Sequence, residues 1–555
     1  MGEADRRWWK KLSYRRLGWM RNSCIAFITL LPKKTDAVQV KDFRPISLIH
    51  SFAKLATKIL ANRLAPMLPR MVSINKSAFV KGRSIQDNFL LVQQMARALH
   101  NTKEPHVLLK LDISKAFDSV SWSFLIEVMT HVGFGPRWRN LICLLLCTSS
   151  TRILVNGDPG ESIKHQRGLR QGDPLSPMLF ILVMEALNSL MNFATANNLL
   201  QPLGGQQGKF RLSFYADDVV MFLCPSTSDL QLSIGFIWAH LWSQNQYVEE
   251  FGTSVIPIQC TEDDLRTISE CLPCEIKGFP CSYLGIPLSI GKPAKATWLP
   301  LIDKVADNLP SWKASLMSKA GPLITVNVVF SGIPIYMMAA LDLPKWAIQA
   351  IDKVRRGFLW KGHEKANGGN CIVAWEHVQR PLQYGGLGLL NLEKMGWALR
   401  IRWLWMQKTD TSRPWAGMPI HIPNNARALF NVVVETIVGN GESTKFWSDR
   451  WLQGKTAAEV APDSIKLVPK RTVKQRTVAQ ALNNNSWARD IKGALTVTVL
   501  IEYMKLWDLV SSVVIRHELL DQHIWRLTGS GCYSCKSAYN SFFLGPIKFG
   551  PWKRI

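Results

Sequence analysis

The sequence predicts a mixed protein of the α/β (α+β) class with more than one domain. Up to about residue 230, amphipathic helical stretches alternate with short apolar runs that are typical of buried strands. Residues 283–410 follow a helical period and are basic and rich in Trp, whereas the remainder to Ile555 is less regular. A chain of 555 residues is long enough for roughly two to four domains, each with its own core.

Four segments have clear element signals. The pattern predicts a helix from about Ser51 to Leu68 closed by Pro69, a strand over Val107–Asp112, a helix over Ser121–His131, and a buried helix from Pro174 to about Asn197. The last helix has the best start signal, because Asp173 can cap it and Pro174 suits the first helical position.

The charge balance points to a polyanionic partner. The chain holds 67 Lys and Arg against 41 Asp and Glu, a formal net charge of +26. Such an excess favours binding to a phosphate backbone through counterion release. The 22 Trp offer stacking surfaces for unpaired bases, although most are expected in cores. A hydrophobic content of 47 % excludes wholesale disorder.

Neither secretion nor membrane anchoring is indicated. No run of roughly 18 uncharged apolar residues occurs, and Met1–Arg7 lacks the apolar core of a signal peptide. The 11 Cys are odd in number and irregularly spaced, which does not suggest a disulfide framework. We therefore expect an intracellular protein without a membrane partner.

Three carboxylates are candidates for a metal centre. Asp217 and Asp218 lie between the β-prone runs Leu212–Ala216 and Val219–Leu223, and Asp112 ends another apolar strand. If those strands are neighbours, the three side chains meet, and carboxylate oxygens are ligands that Mg²⁺ prefers. Two such ions about 4 Å apart activate a 3′-hydroxyl and stabilise a leaving pyrophosphate. Taken alone, an Asp-Asp pair in a turn is more often only solvated.

Five blocks resemble, in order, the motifs of reverse transcriptases from non-LTR (LINE-type) retrotransposons. They are Phe43–Leu48, Ser77–Ser84, Lys110–Asp118, Gly168–Pro177 and Phe214–Asp218. Downstream, Tyr283–Leu288 and Gly385–Gly388 resemble the region after the palm in plant members. The resemblance covers roughly residues 25–550 and implies an RNA-directed DNA polymerase that adds deoxynucleotides to a 3′-hydroxyl.

The resemblance also implies a right-hand polymerase fold. Residues 25–282 would form the fingers and palm, and residues 283–410 a helical basic thumb or connection. Residues 411–555 resemble the start of a zinc-binding region that is truncated, and residues 1–24 would be an N-terminal remnant. The implied partners are an RNA template, a DNA primer or target and deoxynucleotides. An active element would work in the nucleus, although no clear localisation signal is visible.

The resemblance assigns catalytic roles to individual residues. Asp112, Asp217 and Asp218 would hold two Mg²⁺ ions, for which Mn²⁺ is a substitute, and the backbone carbonyl of Ile113 would be a further ligand. Phe117 would be a steric gate whose ring leaves no room for a ribose 2′-hydroxyl. The alternative for Phe117 is a plain core residue.

A second group of residues would bind nucleotide, template or primer. Its members are Lys81, Arg83, Gln171, Gly172, Arg44 and Tyr215. Lys81 and Arg83 would hold the triphosphate, unless they are merely solvated. Gln171 and Gly172 would lie against the incoming nucleotide and the template base. Arg44 would touch the template backbone or brace the fingers.

Two groups of cysteines have a spacing that suggests zinc ligands. They are Cys532 with Cys535, and Cys271 and Cys274 with Cys281. Neither group has a second pair at a useful spacing, so we expect ordinary thiols and no zinc.

Two departures from the family pattern bear on activity. Lys76 replaces a family Gln and adds a charge at a position expected to face the template. Residues 235–251 lack the Gly-Leu-Lys block that supplies a Lys near the leaving pyrophosphate. Reading Trp242 onward one base later, with suitable synonymous codons, restores that block, so we hypothesise a local frame slip that ends near Gly252. The gene sequence around codons 230–255 refutes the hypothesis if no shifted frame there encodes Gly-Leu-Lys.

Two alternative functions stay open. One is a catalytically inactive remnant that binds RNA without extending a primer. The other is a maturase-type polymerase of mobile introns, which shares the palm motifs but not the Trp-rich Gly-Gly-Leu-Gly region. If the lysine block is disrupted, we expect polymerase activity well below that of an intact relative.

Overall fold

The computed structural model divides the chain into two compact units. The described residues are 25–33, 36–113, 116–204, 210–243, 253–272, 274–307, 317–318, 320–362, 371–494 and 496–544. The first unit spans Met1–Lys292 and the second spans Pro293–Ile555. Each unit has a hydrophobic core of its own.

Helices and strands are interspersed along the first unit. Its α-helices are α1 (Ser51–Leu64), α2 (Leu68–Met71), α3 (Ile85–Thr102), α4 (Ala116–Ser119), α5 (Trp122–His131), α6 (Pro136–Cys147), α7 (Ser176–Ala196), α8 (Thr227–Ser243) and α9 (Glu262–Cys271). Its strands are β1 (Ile25–Pro32), β2 (Phe43–Ile49), β3 (His106–Asp112), β4 (Ser150–Val155), β5 (Asp158–Pro159), β6 (Ile163–Lys164), β7 (Leu212–Tyr215), β8 (Asp218–Leu223), β9 (Ser254–Ile258), β10 (Glu275–Ile276), β11 (Cys281–Tyr283) and β12 (Ile286–Leu288).

These strands form two five-stranded sheets and one hairpin of β11 and β12. The first sheet has the order β2-β1-β4-β5, with β6 also paired to β4. The second sheet has the order β10-β9-β3-β8-β7, so β7 is an edge strand. In it, β3 runs antiparallel to both β8 and β9.

The second sheet is the centre of the first unit because its strands are apolar on both faces. Val107–Leu109 of β3 and Val219–Leu223 of β8 are buried. Helix α3 contacts β3, β7 and β9. Residues of α7 belong to the same hydrophobic cluster as β3 and β8. Two-sided burial of this kind explains why both strands appear in the sequence as almost continuous apolar runs.

The structure confirms three of the predicted elements with small shifts. The strand predicted over residues 107–112 is β3, and the helix predicted over residues 121–131 is α5. The predicted buried helix is α7, which begins at Ser176. One carboxylate oxygen of Asp173 accepts the N–H groups of Leu175 and Ser176 at 3.1 and 3.0 Å, so the predicted capping carboxylate is correct. Pro177, and not Pro174, lies in the first turn.

The end predicted for the first helix is wrong. α1 ends at Leu64, and Pro69 lies in the first turn of the separate short helix α2. Proline is well tolerated at a helix start because its missing N–H would have no helical partner there. Pro69 therefore lies at the start of α2, whereas the sequence pattern predicts it at the end of α1.

In its described residues, the second unit is largely helical and has one small sheet. Its helices are α10 (Leu299–Asp307), α11 (Gly321–Thr325) with the π-helical turn Val326–Phe330, α12 (Gly332–Ala340), α13 (Lys345–Lys361), α14 (Trp375–Val378), α15 (Leu392–Thr409), α16 (Asn424–Val433), α17 (Ala457–Val460), α18 (Lys470–Gln475), α19 (Val478–Leu482), α20 (Val497–Ser511) and α21 (Cys535–Ser541). Its strands are β13 (Val434–Ile437), β14 (Arg450–Leu452), β15 (Lys455–Thr456) and β16 (Gln522–Trp525), in the order β15-β14-β13-β16.

Several Trp of this unit are core residues, as expected for large aromatics. The side chains of Trp403, Trp415, Trp447, Trp487 and Trp525 are fully buried. They serve packing, so these five are not stacking surfaces for bases.

Among the described residues, two helical stretches are long and apolar enough to cross a bilayer by length and composition alone. They are α7 and Gly321–Ala340, of which 56 % and 39 % is buried within the protein. This is weak evidence, because the core helix of a globular protein passes the same test. Helix α7 is such a core helix, since residues Leu179–Met184 are buried in the first unit.

Candidate active site

The candidate carboxylates lie at one end of the second sheet. Asp218, the first residue of β8, stands opposite Asp112, the last residue of β3, in the antiparallel register. Opposed residues of such a pair have Cα atoms roughly 4.5–5.5 Å apart. Asp217 lies in the turn that precedes β8, and both Asp217 and Asp218 are half-buried. The fold thus brings Asp112 next to the distant pair Asp217 and Asp218. The side chain of Asp112 lies outside the described residues.

The turn between β7 and β8 is tight. Tyr215 at the end of β7 pairs with Asp218, so only Ala216 and Asp217 connect the strands. Ala216 has a φ of +54°, a conformation that residues with a Cβ rarely adopt. Two-residue hairpins often require a positive φ, and the resulting strain persists only where the surrounding structure holds it. Burial, followed by the charge of Asp218, raises the pKa of the Tyr215 hydroxyl.

Phe117 and the loop Gly168–Gly172 are joined by backbone hydrogen bonds. The N–H of Leu169 donates to the carbonyl of Phe117 at 2.7 Å. At the other end of the loop, the N–H of Ser47 in β2 donates to the carbonyl of Gln171 at 3.1 Å. The predicted nucleotide contacts in this loop are therefore held between β2 and the segment that carries Phe117.

Gly172 meets a steric requirement of this arrangement. Its φ is +101°, and a Cβ at this position would lie 3.2 Å from the carbonyl oxygen of Ser47. A larger residue would strain the backbone and press on β2. Gly172 is exposed and Gln171 is half-buried.

The ring of Phe117 is stacked on the core. Its centroid lies 4.3 Å from that of Phe180 in α7, with an angle of 18° between the planes. Phe180 is buried, whereas Phe117 is only half-buried. The buried Phe180 ring thus holds the Phe117 ring in place, and part of Phe117 remains accessible.

A cleft of about 250 Å³ adjoins the same loop. Residues of β1, β2 and the loop line it together with a group of basic side chains, and the lining includes Ile28, Pro45, Ser47, Gln171, His165, Arg167 and Arg170. Burial, followed by the charge of Arg170, lowers the pKa of His165. The cleft therefore combines an apolar wall with two arginines and the carboxylate of Asp118, which also lines it.

The predicted triphosphate ligands differ in their surroundings. Lys81 is exposed. The guanidinium of Arg83 donates to the backbone carbonyls of Ser73 and Lys76, both at 2.6 Å. Arg83 thus braces the preceding segment, and its contact with a triphosphate stays a prediction. Arg44 is exposed on β2, where it stands opposite Leu31.

The interpretation of Lys76 as a template-facing charge is wrong. Its side chain is only 1 % exposed, and its ammonium forms a salt bridge of 3.1 Å with Glu185 in α7. The same ammonium lies 4.2 Å from the centroid of the Phe214 ring. Burial lowers the pKa of Lys76 to about 8, and the charge of Glu185 offsets part of that effect.

This shift predicts a pH-dependent stability. Between pH 8 and 10.5 the unfolded chain keeps the Lys76 proton, whereas the folded chain releases it, so the free energy of unfolding rises with pH. Compared with Lys76→Gln, the wild type should gain up to about 1.4 kcal/mol per pH unit in that window. Urea unfolding at several pH values measures the difference. A difference that stays constant or falls would contradict the burial of this ammonium.

Sequence reasoning missed the residues that surround Lys76. Glu185 and Asn188 are the polar positions of an otherwise apolar stretch of α7, and Asn88 is buried in α3. A polar side chain inside an apolar helix is the sequence feature that could have indicated this network, because buried polar groups need hydrogen-bond partners. The pattern alone does not say which partners they have.

The remaining predicted positions are placed as follows. The aberrant stretch is residues 235–251, and its second half replaces the lysine block. Residues 244–252 lie outside the described residues, so most of that half is not described. Cys532 is exposed, and Cys535, Cys271, Cys274 and Cys281 are half-buried free thiols. Among the described residues, no three His, Cys, Asp or Glu form a group that could hold a metal, a statement that leaves out the side chain of Asp112.

The donor set at the sheet end nevertheless fits a divalent ion. The turn presents two adjacent carboxylates, a third acidic residue stands in register with them, and Ile113 follows directly with its carbonyl. Carboxylate and carbonyl oxygens are the ligands that Mg²⁺ and Mn²⁺ accept. Asp112, Ile113, Asp217 and Asp218 are thus the residues that would hold such ions.

Comparisons with known proteins agree on one family. A family model described as reverse transcriptase (RNA-dependent DNA polymerase) matches residues 31–257. The transposon TX1 uncharacterized 149 kDa protein of Xenopus laevis is 26 % identical over 388 residues, which is 68 % of this chain and 28 % of that protein. A Pol polyprotein from the type-1 retrotransposable element R2 of Nasonia vitripennis is 29 % identical over 42 % of this chain and 21 % of its own length.

A solved structure adds a distant likeness. Telomerase from Candida tropicalis in complex with the TWJ fragment of telomeric RNA aligns with a TM-score of 0.33 and 12 % identity, over 72 % of this chain and 65 % of that one. This chain spans only about a quarter of the length of the two curated relatives. Residues 31–257 thus match a reverse transcriptase domain, and relatives of this chain include a TX1 transposon protein and Pol polyproteins of R2 retrotransposable elements.

Proposed function

We propose that this protein is an RNA-directed DNA polymerase that adds deoxynucleotides to the 3′-hydroxyl of a primer on an RNA template. The observation that carries the proposal is the register pairing of Asp112 with Asp218 beside the Asp217 turn. Acidic positions from two separate motifs lie at one sheet end, within residues that match a reverse transcriptase domain. The net charge of +26 supports a nucleic-acid partner.

The side chains of this site would act mainly by positioning and by charge. We assign metal binding to Asp112, Asp217 and Asp218, with Mg²⁺ or Mn²⁺ as the ion. When bound, the ions supply activation of the primer hydroxyl and neutralisation of the leaving pyrophosphate. Lys81 and Arg83 would bind the triphosphate, which orients it for in-line attack.

The remaining residues would select and hold the substrates. Gln171 and Gly172 would lie against the incoming nucleotide and its template base, and Arg44 and Tyr215 would contact template or primer. In this proposal residues 25–282 are the fingers and palm, and residues 283–410 are the thumb. For an active element we propose a nuclear location, which imaging of the tagged protein tests.

Primer extension tests the proposed function directly. The full chain is incubated with an RNA template, an annealed DNA primer, deoxynucleotides and Mg²⁺, and salt-dependent RNA binding is measured in parallel. Extension that requires all four deoxynucleotides supports the polymerase. RNA binding without extension, in Mg²⁺ and in Mn²⁺, would instead identify an inactive remnant and overturn the proposal.

Replacing Phe117 separates the steric gate from a plain core residue. We expect Phe117→Ala to raise ribonucleotide use relative to deoxynucleotide use by about tenfold to a hundredfold, because a cavity replaces the ring that excludes the 2′-hydroxyl. The ratio of kcat/KM for the two sugars measures this. Phe180→Ala removes the buried ring of the same stacked pair but keeps the Phe117 ring, so it should raise the ratio less than Phe117→Ala does. Equal ratios in both variants would make Phe117 a core residue.

A further inference from the structure

The segment Ser73–Ser77 covers the open edge of strand β7. The backbone of Lys76 pairs with that of Phe214 as a parallel bridge. The N–H of Phe214 donates to the carbonyl of Asn75 at 3.1 Å, and the N–H of Ser77 donates to the carbonyl of Phe214 at 3.4 Å. Because β7 is an edge strand, this segment supplies the pairing that a neighbouring strand would otherwise give.

The covering segment is tied to α7 through the carboxylate of Glu185. Besides the salt bridge to Lys76, this carboxylate accepts the backbone N–H of Ser73 at 3.2 Å and its hydroxyl at 2.5 Å. The amide of Asn188 donates to the same carboxylate at 3.0 Å and to the Ser73 hydroxyl at 2.8 Å. The Lys76 ammonium also lies over the Phe214 ring, so one side chain contacts both α7 and β7.

Amide side chains bind the backbone of β7 directly. The Asn75 amide donates to the carbonyl of Leu212 at 2.9 Å. The Asn88 amide nitrogen lies 2.9 Å from the carbonyl of Phe214 and 2.7 Å from the hydroxyl of Ser213. These groups are buried, where a polar group without a partner is costly, so the network favours one position of β7.

We propose that Lys76 and Glu185 are positioning residues that fix β7, and through it the Tyr215–Asp218 turn, for nucleotide transfer. The inference rests on the proposed polymerase function. Buried ion pairs are weak evidence for stability, since burial offsets the Coulombic gain, but removing one partner leaves a buried charge unpaired. The turn that β7 carries is short and contains a positive φ at Ala216, so it depends on what holds the strand.

The test compares kinetics with backbone protection in the full chain. For Lys76→Met we expect kcat of primer extension to fall by about tenfold to a hundredfold, because misplacement of the turn by about 1 Å has effects of this size. The KM for deoxynucleotide should change less than about twofold, since Arg83 bonds the backbone carbonyl of Lys76, which the substitution leaves in place. Hydrogen exchange in a peptide that contains Phe214 should become faster. Lys76→Gln can still donate to Glu185 and should recover much of the lost kcat.

Two further variants exclude a simple loss of stability. Lys76→Met combined with Glu185→Gln removes both charges, leaves none unpaired, and should fold while keeping the low kcat. Met129→Ala opens a cavity in α5 of the same core and should lower the unfolding temperature without changing kcat or exchange at Phe214. If Lys76→Met lowers kcat no more than Met129→Ala does, the positioning role is wrong and the polymerase stands. If the wild type does not extend a primer, the proposed function fails and this inference fails with it.

Discussion

Asp218→Asn is expected to reduce primer extension by about 10³-fold, which corresponds to about 4 kcal/mol of transition-state stabilisation. The substitution keeps the shape of the side chain and removes its charge, and a neutral amide is a poor ligand for a hard divalent ion. Asp112 stands opposite Asp218 in the register, so Asp112→Asn should have an effect of the same order. Single-turnover extension rates at saturating deoxynucleotide measure both.

Binding measurements distinguish this loss from a loss of fold. Removing a negative charge from the site should leave RNA affinity unchanged or slightly raised at a given salt concentration. Asp263→Asn is the matched control, because Asp263 lies in α9 of the same unit, is 91 % exposed and pairs with the exposed Arg266. Its extension rate should equal that of the wild type. Wild-type rates in Asp218→Asn and Asp112→Asn would remove the carboxylates from the catalytic site.

The sheet end that carries the carboxylates could be predicted because each strand is buried on both faces. Such strands appear in the sequence as short apolar runs, and Asp112 and Asp218 interrupt them only at their ends. A charged residue at the end of a buried strand lies at the sheet margin, and the family order of the motifs indicated that the two strands are neighbours. The sequence pattern could not predict the exact residues of the turn. Asp217 lies outside both strands, whereas Asp218 is the first residue of β8.

Partners far apart in the chain account for what the sequence did not reveal. The sequence predicts that the charge of Lys76 faces the template, yet its carboxylate partner is Glu185 on a helix whose periodicity indicates only burial. The contact of Arg83 with a triphosphate stays a prediction, but its guanidinium also bonds backbone carbonyls of the nearby residues Ser73 and Lys76, which leave no sequence signal. A motif thus indicates which residues belong to a site, whereas the division between contact and support depends on tertiary hydrogen bonds.

Gly168→Ala is expected to destabilise the first unit by about 2–5 kcal/mol, the sum of a left-handed backbone penalty and of overpacking. Gly168 has a φ of +84°, and a Cβ there would lie 2.4 Å from the carbonyl oxygen of Asp118. The obstacle is backbone, so no side-chain rotation relieves it. The N–H of Gly168 also donates to the carbonyl of Val120 at 2.8 Å, a bond that the displaced loop would lose.

The same substitution should lower primer extension, because the loop beyond Gly168 carries Gln171 and is anchored to Phe117 through Leu169. Gly133→Ala is the matched control, since Gly133 has a φ of +93° but a Cβ there would meet no neighbouring atom within 4 Å. It tests the backbone penalty alone and should cost about 1–2 kcal/mol with extension unchanged. Urea unfolding and extension assays of both variants measure the contrast. Equal destabilisation in the two variants would show that the close approach of Gly168 to Asp118 does not constrain the loop that we assign to nucleotide binding.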